Sequence, residues 1–325
     1  MPMQRHNARL CALLALVLTA CVGAFAATPE EEAKYRADID EGISLLRTGV
    51  RDEIHRAIAR FKSALKIKPE SAEVYYWLAL ANSDLGLYPH AASNARDATT
   101  YDDRLGEAWS LWGQVLLYQK AWSEALQKLE TAQRLMPEDP IVHYNLGRVH
   151  YYGTKDYSTA LSNFRVAWQM GQALRHNNAD FAALSVNSRL YMGLCEYERG
   201  CESGRDVYFN NATNAFLDVL KEQPSNYDVA LRLAAVYRKS NRVAESISWL
   251  VNLAKVLEQS QESINRYRSL LAEVYLQLAD IYIKEPGQQN DLLAQANLNA
   301  FVNFIGDSNH PALEPAKQYL AEKQR

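Results

Sequence analysis

Residues 106–139 read GEAWSLWGQVLLYQKAWSEALQKLETAQRLMPED, and this stretch decides the fold. Its first half carries large and small residues at spacings that lie on one face of a helix: Trp109, Trp112, Gly113 and Leu116. Its second half repeats such a face at i, i+4 and i+7: Ala125, Leu129 and Ala132. Pro137 ends the second helix because proline lacks the N–H that a helix interior needs. The stretch therefore predicts two helices that approach each other closely through small residues.

The same pattern recurs along the chain. The small residue of each second helix stands 34, 34 and then 35 positions after the previous one: Ala57, Ala91, Ala125 and Ala160. The residues four and seven positions further on continue the same face: Phe61, Ala95, Leu129 and Phe164, then Ala64, Ala98, Ala132 and Ala167. The extra residue of the fourth unit falls within the predicted turn 153–156. A fixed period of this length predicts an array of stacked helical repeats.

The repeated unit resembles the tetratricopeptide repeat, a helix–turn–helix element of about 34 residues. Residues 106–139 match best, 72–105 and 140–175 match well, and the units after about residue 200 match more loosely. The resemblance implies an all-α, right-handed superhelical solenoid of about seven helix pairs over residues 28–305. The remaining residues, 306–325, are expected to form a C-terminal capping helix.

Composition and motifs exclude several classes of protein. The chain is 48% apolar and 22% charged, which is typical of a folded protein. Its 35 basic and 38 acidic side chains give a net charge of −3, which argues against nucleic acid as a partner. The sequence has no phosphate-binding loop, dinucleotide fingerprint, nucleophile elbow or zinc-protease motif. We therefore expect a protein that is not an enzyme and that needs neither a cofactor nor a metal ion.

Residues 1–26 have the organisation of a secretory signal peptide. Arg5 and Arg9 precede an apolar run over residues 10–20, and small residues follow. This run would span about 16 Å as a helix, too short for the roughly 30 Å hydrocarbon core of a membrane. Two cleavage sites remain open: before Cys21, in a sequence that resembles a bacterial lipobox, or before Ala27. The first predicts a lipid-anchored protein of the periplasm, with Cys21 lipidated, and the second a soluble periplasmic protein.

Cys195 and Cys201 are the cysteines that follow the signal region. In an oxidising compartment they could form a disulfide that closes a short loop at a helix end. The other interpretation is one buried thiol and one loop thiol.

The resemblance implies that the first helix of each repeat lines the inner groove of the solenoid. Positions that the repeat pattern does not use for packing are then the candidates for partner binding: Tyr76, Gln114, Tyr118, Tyr144, Arg148, Tyr151, Tyr152, Arg232 and Arg238. Tyrosine and arginine are common at binding hot spots because each combines a large contact area with a polar tip. The same tyrosines could instead cover contacts between helices. Arg232 and Arg238 could receive an acidic segment or form an ordinary solvated face.

These observations predict a protein–protein interaction scaffold of the bacterial cell envelope, which binds a partner protein or peptide in this groove. A lipid anchor is the expected membrane attachment. The alternative is a small-ligand carrier or a partner subunit of a solute transporter. That function requires an enclosed pocket, expected near 195–204 or between the helices predicted at 157–176 and 178–199. The sequence leaves the oligomeric state open.

Overall fold

The computed structural model describes residues 27–176, 178–285, 287–306 and 309–323. This described part is helical without any strand, so the predicted all-α solenoid of helix pairs is confirmed. The chain divides into two compact units, one ending at Glu138 and the other beginning at Asp139. The boundary coincides with the end of the repeat at 106–139.

The first unit contains three helix pairs. Its helices are α1 (Pro29–Leu46), α2 (Arg51–Ile67), α3 (Ala72–Asp84), α4 (Tyr88–Tyr101), α5 (Gly106–Tyr118) and α6 (Trp122–Leu135). Each odd-numbered helix packs against the helix that follows it, and each pair packs on the next. Thr28 and Glu31 form a capping box at the start of α1, with the Thr28 N–H 2.8 Å from Glu31 Oε2 and the Glu31 N–H 3.2 Å from Thr28 Oγ1.

The second unit contains four further pairs, a short helix and a terminal helix. Its helices are α7 (Pro140–Val149), α8 (Tyr157–Leu174), α9 (Ala179–Ser203), α10 (Asp206–Glu222), α11 (Tyr227–Lys239), α12 (Val243–Leu257), α13 (Gln261–Arg266), α14 (Arg268–Lys284), α15 (Gln288–Ile305) and α16 (Leu313–Lys323). The pairs are α7–α8, α9–α10, α11–α12 and α14–α15, and α16 packs against α15.

The periodic residues form the core. The three repeated positions of the second helices in the first four pairs are all inaccessible to solvent: Ala57, Phe61, Ala64, Ala91, Ala95, Ala98, Ala125, Leu129, Ala132, Ala160, Phe164 and Ala167. Glycines of the first helices allow the close approach. A Cβ atom at Gly113 would lie 2.5 Å from Leu129 Cγ, and one at Gly147 would lie 2.7 Å from Phe164 Cε1. These distances leave no room for a larger residue unless the partner moves.

The turns within the helix pairs share one backbone conformation. Six of these turns contain a residue with a left-handed φ angle: Gly49 (65°), Gly86 (74°), Lys120 (60°), Lys155 (55°), Gly204 (66°) and Asn241 (60°). This left-handed conformation reverses the chain in very few residues, and it costs a residue with a Cβ more than it costs glycine.

The extra residue of the fourth unit lies in the helix and not in the turn. α7 continues into a wider π-helical turn, His150–Thr154, before Lys155 reverses the chain. A π turn accommodates one additional residue within a helix. As a result Tyr151 and Tyr152 stand on this turn.

Residues 195–203 form no irregular loop, because α9 is one continuous helix of 25 residues that ends at Ser203. The disulfide is also absent: Cys195 is a buried free thiol and Cys201 an exposed one. Two residues six positions apart on a helix have Cα atoms about 10 Å apart, whereas a disulfide requires about 7 Å or less. No helix within the described residues is long and apolar enough to cross a membrane.

Candidate partner-binding site

Three of the candidate partner-binding residues lie in the first unit, and some of them make packing contacts within the protein. Tyr76 is half-buried against the alanine-lined core of α3 and α4, and its ring meets that of Trp77 edge-on at 5.1 Å. Tyr118 is 41% exposed and stacks on Tyr88 at 5.1 Å. Gln114 donates a hydrogen bond from Nε2 to the Tyr118 hydroxyl at 3.3 Å. Gln114 and Tyr118 thus form a small polar surface on α5, and Tyr76 belongs mainly to the core.

In the second unit the candidate tyrosines converge. Tyr144, Tyr151 and Tyr152 all meet the ring of Tyr191 on α9, with ring centroids 5.8, 5.7 and 6.1 Å from it. The Tyr152 and Tyr191 hydroxyls share a hydrogen bond of 2.9 Å. Tyr191 also stacks at 4.8 Å on Phe164, which is fully buried. These rings join the π turn to α8 and α9, so the sequence correctly grouped the residues.

Packing dominates the chemistry of this cluster. Burial raises the pKa of Tyr191 far above its usual range, and the hydrogen bond with Tyr152 adds to the effect. Burial also raises the pKa of Tyr151, with the nearby Glu198 carboxylate as a smaller cause. Both hydroxyls therefore stay protonated at physiological pH. Tyr152, 45% exposed, presents the most surface to a partner.

Arg148 lies beside this cluster on α7. Its guanidinium donates a hydrogen bond to Asn145 Oδ1 at 3.3 Å and lies 5.8 Å from the centroid of the Tyr144 ring. Asn145 is 1% exposed, so this hydrogen bond connects the guanidinium of Arg148 to a buried side chain of the same helix. Arg148 is only half-exposed and is held in place by these contacts.

Two adjoining cavities lie further along the second unit. The larger, of about 880 Å³, lies between the start of α11 and the start of α14 and includes Tyr227, Asp228, Tyr267 and Glu273. The smaller, of about 320 Å³, lies between α9, α11 and α14. Asp228, Leu231 and Glu273 line both cavities. We call the two cavities together the α11–α14 groove.

Arg232 and Arg238 have different positions with respect to this groove. Arg232 is exposed and lines the smaller cavity. Arg238 instead forms an ion pair with Asp280 on α14 at 2.6 Å, and Lys284 shares that carboxylate at 2.8 Å. Two adjacent acids, Asp228 and Glu273, also face the groove. Arg232 therefore lines the groove beside two carboxylates, whereas Arg238 is paired with Asp280.

Several residues of the groove were not among the sequence candidates. Asp228, Glu273 and Gln277 occupy repeat positions that packing does not use. The repeat pattern is degenerate in the last unit, so the sequence did not show which residues of α14 face the groove. Tyr227 and Tyr267 meet edge-on at 5.0 Å although they are 40 positions apart. The repeat offset could have found Asp228, whereas only the fold reveals the Tyr227–Tyr267 contact.

A third cavity of about 170 Å³ lies between α8, α9 and α10, close to one of the two places expected for a small-ligand pocket. Arg189 lines it, forms an ion pair with Asp218 at 2.6 Å and lies 5.4 Å from the Trp168 ring centroid. Its volume is well below the roughly 300–1,000 Å³ of typical ligand pockets.

Chemistry that needs a metal has no candidate site in the described residues, which bring together no group of three or more His, Cys, Asp or Glu side chains suited to a metal ion. The proposed lipidation residue, Cys21, and the signal segment 1–26 lie outside the described residues.

The chain is built of stacked helix pairs, and the first helices of successive pairs form a common surface. This architecture is that of repeat proteins that bind other proteins. Family models support this: residues 51–86 match a TPR repeat model, and residues 110–167 match a tetratricopeptide repeat model. The chain belongs to the tetratricopeptide-repeat family. Proteins of this family generally mediate protein–protein interactions.

Comparison with individual proteins agrees with this assignment. A protein described as a CTR9 homologue from Arabidopsis thaliana is 26% identical over 303 residues, which cover 81% of this chain. The chain spans only 27% of the length of that relative.

Solved structures share the fold. PilF of Pseudomonas aeruginosa is 23% identical, with a TM-score of 0.53 over 73% of this chain and 97% of that chain. The C-terminal part of a TPR repeat-containing protein from Cytophaga hutchinsonii is 15% identical, with a TM-score of 0.61 over 88% of this chain and 99% of that chain. At these identities the likeness supports the fold alone.

Proposed function

We propose that this chain is an exported, non-catalytic scaffold of the bacterial cell envelope that binds an extended segment of a partner protein. One observation carries the proposal: the two cavities of the α11–α14 groove adjoin and share lining residues, so they offer one continuous site. Their volumes suit several side chains of a bound segment. Gln277 stands along this site, where its amide oxygen can accept a hydrogen bond from an extended backbone.

The proposal that the protein is not catalytic rests on which side chains have shifted pKa values. The largest upward pKa shifts belong to Tyr151, Tyr191, Tyr275 and Cys195, and burial is the main cause of each. Raised values keep these groups protonated, which suits packing and opposes a role as nucleophile or base. Tyr152 and Arg148 then form a second surface in the same unit, beside the buried rings.

Export and lipid attachment are proposed from the signal-like sequence and the lipobox-like Leu18-Thr19-Ala20-Cys21. A lipid on the N-terminus would hold the scaffold at a membrane surface. The alternative cleavage before Ala27 would release a soluble periplasmic form.

Site-specific photo-crosslinking in cells of the source organism tests partner binding. A photoreactive residue at position 277 or 152 should give an adduct with the same partner protein, identified by mass spectrometry. The matched control is position 255, which is exposed on the second helix α12. Equal adducts from position 255, or none from 277 and 152 in folded and exported protein, would reject the groove as the binding site.

The substitution Arg232→Ala provides the complementary test. Arg232 is exposed and makes no ion pair within the described part of the chain, so its removal should not affect folding. The adduct from position 277 should fall several-fold, whereas Lys255→Ala should leave it unchanged.

A further inference from the structure

We infer that the α11–α14 groove selects a partner segment that carries a basic side chain next to a large apolar side chain. This inference rests on the proposed function and specifies the chemistry of the segment. A basic segment is neither of the two interpretations that the sequence left open for Arg232 and Arg238, an acidic partner segment or an ordinary solvated face.

The first step concerns the carboxylates at the junction of the two cavities. Asp228 and Glu273 line both cavities, and within the described residues neither forms an ion pair. Glu273 accepts one hydrogen bond, from Gln277 Nε2 at 3.2 Å. The nearby Asp280 is different, since Arg238 and Lys284 both pair with it. Arg266 lines the larger cavity and Arg232 the smaller one, so each cavity has two carboxylates against one guanidinium, and neither carboxylate forms an ion pair within the described residues.

The helix dipole explains the position of only one of these two carboxylates. Asp228 lies in the first turn of α11, where the helix dipole favours a carboxylate. Glu273 is the sixth residue of α14, beyond the reach of that effect. A cationic side chain between the two would satisfy both.

The aromatic rings of the larger cavity favour the same group. Tyr227 and Tyr267 form an edge-on pair beside the carboxylates, and a cation near the face of a tyrosine ring is attracted to it. Arg266 already lies 5.5 Å from the centroid of the Tyr267 ring. Arg266 also lines the larger cavity, so the chain itself occupies the Tyr267 ring, and Tyr227 supplies the ring that can receive a cation of the bound segment.

The smaller cavity specifies the neighbouring residue of the segment. Leu194, Phe216, Leu231 and Ala235 form an apolar floor, of which Phe216 is 1% exposed. An apolar side chain placed there would be removed from water, which stabilises binding. Arg232 lines this cavity but not the larger one, so its guanidinium can hydrogen-bond to backbone carbonyls of the bound segment.

Selection from a random twelve-residue peptide library displayed on phage tests the inference, with the purified chain from Ala27 onward as the bait. The selected peptides should share a Lys or Arg within one or two positions of a large apolar residue. Their binding should weaken at least tenfold with Asp228→Asn plus Glu273→Gln. The control, Glu202→Gln plus Glu314→Gln, removes the same charge from exposed positions of the same unit and should change affinity less than twofold.

Ala235→Arg separates failure of the inference from failure of the proposed function, because it fills the smaller cavity. Its helical circular dichroism should match that of the wild type. If Ala235→Arg abolishes binding of the selected peptides but they carry acidic residues or no common charge, the inference is wrong and the groove still binds segments. If no selected peptide is sensitive to Ala235→Arg, both are wrong.

Discussion

At the scale of single residues, the close approach of the helices depends on positions that have no side chain. Gly147 faces the fully buried Phe164, and Gly113 faces Leu129 in the same way. The sequence pattern predicted that the helices approach each other through small residues. What it could not show is how little space separates them.

Gly147→Ala should destabilise the protein. The new Cβ would lie 2.7 Å from Phe164 Cε1, and the ring cannot move freely because it is also stacked on Tyr191. We expect a loss of about 1–3 kcal/mol in chemical denaturation. Ser162→Ala, on the exposed side of α8, is the control and should stay within about 0.5 kcal/mol of the wild type.

Phe164→Leu added to Gly147→Ala should recover part of this loss, because the smaller side chain makes room for the Cβ. An unchanged denaturation midpoint in Gly147→Ala alone would show that the helices separate without cost at this point.

Tyr197, which lines the smaller cavity, should make stability depend on alkaline pH. Burial raises its pKa to about 12, with the Cys201 thiol and then Glu198 as smaller causes. In the unfolded chain a tyrosine titrates near pH 10. Between these values the unfolded state binds fewer protons than the folded state, so the free energy of unfolding falls as pH rises. The stabilising contribution is complete below about pH 10.

The variant Tyr197→Phe should therefore lose less stability than the wild type between about pH 10 and pH 12, measured by urea unfolding at each pH. Between about pH 7 and pH 9 the two proteins should differ by a constant amount, since tyrosine titrates in neither state. Identical slopes above pH 10 would mean that Tyr197 ionises as readily in the folded protein as in the unfolded chain.

At the scale of elements, the geometry of each helix pair depends on its turn as well as on the apolar faces of its two helices. Lys120 and Lys155 adopt positive φ angles, at positions where the second pair uses Gly86. The apolar period predicted where each turn falls, but not this conformation, because lysine carries no signal for it. In the fourth pair the fold further places the extra residue in the π turn His150–Thr154.

Lys120→Gly should stabilise the protein by up to about 1 kcal/mol, because glycine adopts a positive φ without the Cβ clash. The same substitution at Lys62, exposed within α2, should destabilise by about 1 kcal/mol because glycine lowers helix propensity. Chemical denaturation of the two variants checks the opposite signs. A loss of stability in both would show that the left-handed turn at Lys120 carries no strain.

At the scale of the whole molecule, the chain forms two compact units, and we propose that its attachment to a membrane depends on Cys21, which lies outside the described residues. Cys21→Ser should abolish incorporation of labelled palmitate and move the protein from the membrane fraction to the soluble periplasmic fraction. Cys11→Ser, within the same signal region, is the matched control and should change neither property. A wild-type protein that takes up no label and is cleaved before Ala27 would replace the lipid anchor with the soluble form.

The sequence by itself determined the repeat, the helix pairs and the buried face of each helix. These depend on local spacing, since i, i+4 and i+7 positions share a face in any helix. It also brought Tyr144, Arg148, Tyr151 and Tyr152 together, because they share one repeat unit. Prediction became weaker where the spacing changed, as in the long helix α9 and the degenerate last pair.

Only the tertiary structure decided which charges remain available to a partner. Arg238 is neutralised by Asp280 on another helix, whereas Asp228 and Glu273, 45 positions apart, line the same two cavities and form no ion pair within the described part of the chain. The separation of Cys195 and Cys201 was likewise decided by the continuation of α9 through both residues. Ion pairs and grooves form between helices that the packing of successive repeats brings together, and local periodicity contains no information about which side chains meet there.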